Sequence, residues 1–273
     1  MLQLDDSACV AVAQCEGVAV FGQLICSLIG SIVSASSIRL DRLLASLVRV
    51  LTVDASAVTQ LLVTETVTAL VRVVAISNDL SSTVVSLSAT EASSWLLACA
   101  VAQSDDASNA IALHGGVSVL VAALTLPSDT VIDSCLHVLA AVLGLCPSTA
   151  ADAFACGIIP LLVNHLHSDH DLTWSAACRV IGVLSSANAE ARAGLRQAGV
   201  LPMLSEVLGS PNTAPISQLE AAVVAVRGLL TGGFQDAFPA ESGCFPSVVN
   251  GLSAVLRKCR YLCDLNQRLF RGT

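Results

Sequence analysis

The sequence predicts an all-α fold built from stacked repeats, on three observations. Glycines recur in one local setting at Gly115, Gly157, Gly199 and Gly243, in successive steps of 42, 42 and 44 along the chain. Apolar residues between them follow helical 3–4 spacing, and no stretch alternates for long with period two. Hydrophobic residues make up 54% of the chain but aromatics only 3%, so the core has to be built from Leu, Val, Ile and Ala. A period of this length is the mark of a solenoid, in which each unit buries its apolar flank against the next.

Three copies of the unit open alike, with Gly157-Ile-Ile-Pro160, Gly199-Val-Leu-Pro202 and Gly243-Cys-Phe-Pro246, and a fourth, Gly115-Gly-Val-Ser118, has Ser for Pro. The fifth residue after each glycine is Leu120, Leu162, Leu204 or Val248, and the ninth is Leu124, Leu166, Leu208 or Leu252. Glycine supplies a left-handed conformation where one helix stops, and proline suits the first turn of the next, where no N–H is needed. A short helix is expected over 161–166, then a turn at Ser168–Asp171 and a long helix over 172–186 carrying Trp174, Ala177, Cys178, Ile181 and Leu184. A linking helix over 189–198 leads to the next glycine. The extra length of the last interval falls in Ser210-Pro-Asn-Thr-Ala-Pro215. Gly228 falls inside a long helix, where valine should be tolerated unless packing is tight, whereas Gly157 and Gly199 should not accept a β-branched residue.

Such a unit resembles the armadillo repeat. The resemblance covers residues 92–254; residues 1–91 fit as degenerate helical or armadillo-like copies, and 255–273 as a basic C-terminal capping helix. Within the weak half, residues 77–92 read as an expanded Ser/Thr-rich loop. The resemblance implies a right-handed α-solenoid of three-helix repeats whose long third helices line a concave, protein-binding groove. Importin-α-like members carry a Trp and an Asn four residues apart on each long helix. At the equivalent positions, counted back from each following glycine, stand Trp95 and Cys99, His137 and Ala141, Arg179 and Val183, Val223 and Arg227. With no Asn among them the backbone clamp is missing, which argues against an import receptor. Trp95, His137, Arg179 and Arg227 remain the groove candidates, and Trp and Arg are residue types enriched in binding hot spots.

Charge narrows the partner. The chain carries a net −8, which excludes a nucleic-acid coat. Arg257, Lys258, Arg260, Arg268 and Arg271 cluster beyond position 254, against Asp264 alone. Other proteins or peptides are therefore the expected partners, with acidic segments suited to Arg179 and Arg227. The alternative is a membrane-associated helical protein, anchored through the charge-free residues 17–38 or through the basic tail. The N-terminal MLQLDDSAC is acidic where a secretion signal is basic. Eleven cysteines, an odd number with no Cys-x-x-Cys pair and most of them inside apolar runs (Cys26, Cys99, Cys135, Cys178), read as small buried apolar residues. A reducing, cytoplasmic setting is expected.

Chemistry-bearing motifs are sparse. His165, His167, Asp169, His170 and Asp171 lie close in sequence, but at a turn, where polar residues are expected. Cys259 and Cys263 share a helix face without further ligands. Cys135 and His137 stand two apart, which does not join a thiol to a base. No phosphate-binding loop, HExxH or Gly-x-Ser-x-Gly occurs. The expectation is a non-enzymatic scaffold or adaptor with no catalytic residue, metal or cofactor.

Overall fold

The computed structural model describes residues 6–14, 17–30, 37–54, 64–78, 85–209, 214–231, 248–250 and 253. Every α-helix and 3₁₀ turn found among them belongs to one helical series, with no strand. It begins with α1 (Asp6–Gln14), α2 (Gly17–Gly30), α3 (Ser37–Val53), α4 (Thr64–Ser77) and α5 (Leu87–Gln103). It continues with α6 (Asp105–Leu113), α7 (Gly116–Ala123), α8 (Asp129–Leu145), α9 (Ala150–Ala155) and α10 (Ile158–His165). Last come α11 (Asp171–Ala187), α12 (Ala189–Gln197), α13 (Val200–Gly209) and α14 (Ile216–Leu230). From α6 onward the order is short, short, long, repeated three times. The expected short, long and linking helices correspond to α10, α11 and α12.

Each short–short junction turns on the expected glycine. The φ angles are +69° at Gly115, +76° at Gly157 and +77° at Gly199. The backbone closes in the same way each time, with the glycine N–H donating to Ala112 O, Phe154 O or Arg196 O at 3.0–3.3 Å. A Cβ at any of the three meets no atom within 4 Å, so the left-handed backbone alone demands glycine there. Pro160 and Pro202 sit in the first turns of α10 and α13. Gly243 and the tail 255–273 lie outside the described residues.

Helix starts are capped by side chains the sequence supplies. Ser86, Ser104, Ser128 and Asn188 accept from the N–H of Ala89, Asp106, Val131 and Ala191 at 2.9–3.4 Å. Ser86 also corrects one expectation. It starts α5 at Leu87, so residues 87–92 are the first turns of a helix and not loop. Ser86 caps, and Thr90 turns inward: it is fully buried and its Oγ1 lies 2.5 Å from Ser77 Oγ.

The chain packs as two compact units, residues 1–158 and 159–273. In the first, hairpins α2–α3, α4–α5 and α7–α8 repeat one arrangement, with like helices side by side: α2 on α4 on α7, and α3 on α5 on α8. The weak N-terminal half therefore follows the same short–long order. Its core is aliphatic, with Leu44, Leu47, Leu70, Leu96, Leu97, Leu120, Leu136 and Leu139 almost wholly buried. In the second unit α14 packs on α11, α12 and α13 around Ile181, Leu184, Leu195, Leu204 and Leu229.

The α11–α14 contact is the tight packing that excludes valine at Gly228. A Cβ there would fall on the Gly182 carbonyl oxygen and within 2.6 Å of Ser185 Oγ. One at Gly182 would lie 2.7 Å from Val224 O. The two helices touch backbone to backbone, and Gly228 has no room for valine.

Residues 17–38 do not form one continuous described helix: α2 ends at Gly30 and α3 starts at Ser37. Among the described residues no single helix is long and apolar enough to cross a membrane.

Candidate functional site

The long helices share one register. Ser86 and Ser128, one repeat apart, cap α5 and α8, and each donates to a carboxylate on the preceding long helix. Ser86 Oγ bonds Asp41 Oδ1 at 2.6 Å, and Ser128 Oγ bonds Glu91 Oε1 at 2.7 Å. Asp41 on α3 therefore matches Glu91 on α5, which matches Asp133 on α8 one repeat later. Four residues after Glu91 and Asp133, on the same helix face, come Trp95 and His137.

In the first unit α5 and α8 pack together and carry Trp95 and His137 at matching levels. Trp95 is half-buried and His137 exposed, within stripes whose other members are Glu91, Ala98 and Cys99 on α5, and Asp133, Ala140 and Ala141 on α8. The opposite sides of both helices hold the core. The same register adds a residue that the sequence reading missed, Arg49 on α3. It is exposed and occupies the level of Cys99. Its signal was Asp41, eight residues earlier, but the step from Asp41 to Glu91 is longer than the repeat and hides the match from a comparison at the repeat's own period.

In the second unit α11 and α14 carry Arg179 and Arg227, both exposed. They do not stand level, since Arg179 matches Val223 in register and Arg227 matches Val183, both half-buried. Neither guanidinium has a hydrogen bond or ion pair with a described residue. The unit's other described arginines are engaged: Arg192 donates to Ser185 O at 2.6 Å, and Arg196 donates through Nε to Leu229 O at 3.0 Å. On the same helices Val224 stands level with Arg179, and Leu172 and Ile216 lie in the first turns; the three are exposed by 42%, 67% and 37%. Ser175, in register with Glu91 and Asp133, is buried, and its hydroxyl has no partner among the described residues.

Groups with reactive potential are kept apart. Cys135 is fully buried and burial pushes its thiol up to about 12, while His137 is exposed on the other side of α8. The thiol is thus neutral at pH 7 and out of reach of the imidazole. Burial likewise raises Cys178, and Cys99 to a lesser degree. Cys26 and Cys99 are half-buried, which departs from the expectation of core cysteines. The histidine cluster is split: His165 is buried in α10, His167 is exposed, and His170 heads α11 with Nδ1 3.0 Å from Thr173 Oγ1. Among the described residues no three His, Cys, Asp or Glu converge to hold an ion.

Neither a protein-family model nor a curated protein sequence matches the chain. Solved structures do. A designed armadillo repeat protein superposes with a TM-score of 0.62 at 17% identity, covering 85% of this chain and 99% of the other. The fold is an armadillo-like repeat fold. A second designed armadillo repeat protein, in complex with the peptide (KR)4, gives 0.58 at 18% identity over 82% of this chain and 92% of its own. An engineered protein gives 0.64 at 22% identity, covering 84% and 85%. In armadillo-like terms α6, α9 and α12 are first helices, α7, α10 and α13 second helices, and α3, α5, α8, α11 and α14 third helices. All four groove candidates of the sequence, and Arg49, lie on third helices.

Proposed function

We infer that this chain is a non-enzymatic, cytoplasmic adaptor that binds protein or peptide partners along the outward faces of its third helices. The observation that carries the reading is the set Trp95, His137, Arg179 and Arg227. An aromatic ring, an imidazole and two guanidinium groups sit at ladder positions, clear of the core, where the described residues make no use of the two arginines. Two such arginines in a chain of net charge −8 suit an acidic segment, through bidentate charge-assisted hydrogen bonds. That net charge speaks against nucleic acid. The seven described cysteines are free thiols, which supports a reducing compartment.

The test is affinity capture compared across three forms of the chain. The wild type, the double variant Arg179→Ala/Arg227→Ala and a control, Arg72→Ala at an exposed position of α4 outside the third helices, are used in parallel. A partner held by the third helices is lost with the double variant and kept with the control. The expected weakening is roughly 2–4 kcal/mol where both contacts are desolvated, and much less where they are exposed. Equal capture by all three, and by Trp95→Ala, removes the third-helix reading.

A further inference from the structure

Arg179 and Arg227 are exposed on two helices that touch backbone to backbone. The helices α11 and α14 run parallel, since Gln218 Nε2 donates to Asp171 Oδ1 at 2.8 Å near their starts and Gly182 meets Val224 and Gly228 further on. This level-matching sets Arg227 beside Val183, so Arg179 stands four residues, about 6 Å, before it along the axes. Backbone contact at Gly182 and Gly228 holds the helices nearer than the roughly 8–10 Å of packing through side chains. Two long side chains one turn apart on helices this close, neither bonded to a described residue, reach the same place in front of them. Of the acids on this face, Asp171 stands at the start of α11 and already accepts from Gln218, and Glu220, level with position 176, stands one turn before Arg179.

Resting on the partner-binding reading above, we propose that Arg179 and Arg227 together hold one phosphoryl group of a phosphorylated peptide segment. Apolar residues of the segment then lie on Val224 beside the phosphorylated position and, two turns nearer the helix starts, on Leu172 and Ile216. One guanidinium fork satisfies a carboxylate, whose two oxygens it matches. A phosphoryl group brings three acceptor oxygens and close to two negative charges, enough to occupy both forks and to cancel the repulsion between them. An anionic bilayer fits less well. Juxtamembrane recognition uses clusters of several cations, whereas this face has two beside Glu220, in a chain of net charge −8.

The experiment measures binding of the full chain to a degenerate peptide library containing phosphoserine, phosphothreonine or phosphotyrosine, and to its dephosphorylated copy. Phosphatidylcholine vesicles with and without phosphatidic acid are run alongside. Phosphorylated members should bind, and lose at least tenfold in affinity on dephosphorylation. Arg179→Gln and Arg227→Gln should each weaken the best phosphopeptide about tenfold or more, and together by clearly less than the product of the two losses, because both grip one group. Helical content by circular dichroism should stay unchanged, as both side chains are exposed. Binding indifferent to phosphate, losses that multiply, or no phosphopeptide bound at all each overturn the shared phosphoryl site. Arginine-dependent binding to the acidic vesicles alone overturns it in favour of a lipid headgroup. In all these cases the partner-binding reading stands if a captured partner is still lost from Trp95→Ala or the double variant, and it falls only if no ladder variant changes capture.

Discussion

Gly228 and Gly157 forbid a side chain for opposite reasons, and the difference is measurable. At Gly157, and equally at Gly199, the space is open and the obstacle is a left-handed backbone. Valine there is expected to cost about 1–2 kcal/mol of conformational strain. At Gly228 the backbone is an ordinary helix, but a Cβ collides with the Gly182 carbonyl. Valine is expected to cost more, about 3 kcal/mol or above, because two helix backbones must separate. Chemical denaturation of the three variants checks the order, and equal shifts would mean that α11 and α14 are not in backbone contact. The buried thiols make a second prediction at this scale. Cys135 is held up to about 12, above the ordinary 9.0. Between those values the unfolded chain has lost its proton while the folded chain keeps it, so stability falls as pH rises, by about 1.4 kcal/mol per pH unit for that thiol. Cys178, raised in the same direction, adds to the slope. Unfolding midpoints from pH 8.5 to 11 should show the decline, and it should be shallower in Cys135→Ala.

The third helices α11 and α14 both end where arginines of one first helix, α12, reach them. Arg192 and Arg196, one turn apart on α12, donate to Ser185 O near the end of α11 and to Leu229 O near the end of α14. A cation at a helix C-terminus satisfies a carbonyl that has no partner within the helix and sits favourably in its dipole. Arg196→Met keeps most of the stem and removes the fork. It should destabilise by about 1–2 kcal/mol, a half-buried charge-assisted bond, and raise amide exchange first in the last turn of α14. The same loss spread over distant helices would show that the contact is incidental. At this scale the sequence was legible where Gly-x-x-Pro punctuates it: α10, α11 and α12 lie within a few residues of their expected bounds. It was less legible in residues 1–91. There the helices keep the short–long order, but Gly17-Val-Ala-Val20 and Thr66-Val-Thr-Ala69 sit within α2 and α4 with no proline to mark a start. Serines at 86 and 88 looked like loop because capping residues and loop residues are the same residue types. The ladder positions were readable as an offset from each glycine. Whether their side chains were already engaged was not, since pairing depends on what packing brings alongside.

Along the whole chain, stability in a repeat protein is close to a sum over units and their neighbours. Residues 255–273, expected from their composition to give an apolar flank a polar cover, bear on this. Deleting them should promote aggregation, detected by light scattering, and lower the melting temperature; a truncated chain that stays monomeric with unchanged melting would make the tail a separate interaction element. The three left-handed glycines carry a consequence of a different sort. An L-residue is strained at φ near +70° for the reason that its mirror image is at ease there, and Gly115, Gly157 and Gly199 all lie between +69° and +77°. D-alanine placed by chemical ligation at any one of them should therefore stabilise, by about 0.4–1 kcal/mol, through the unfolded chain's lost freedom. With the sites a whole repeat apart and no neighbours in common, the three gains should add. Handedness at three single atoms thus becomes a dial on the stability of the entire array, one that leaves every ladder side chain untouched.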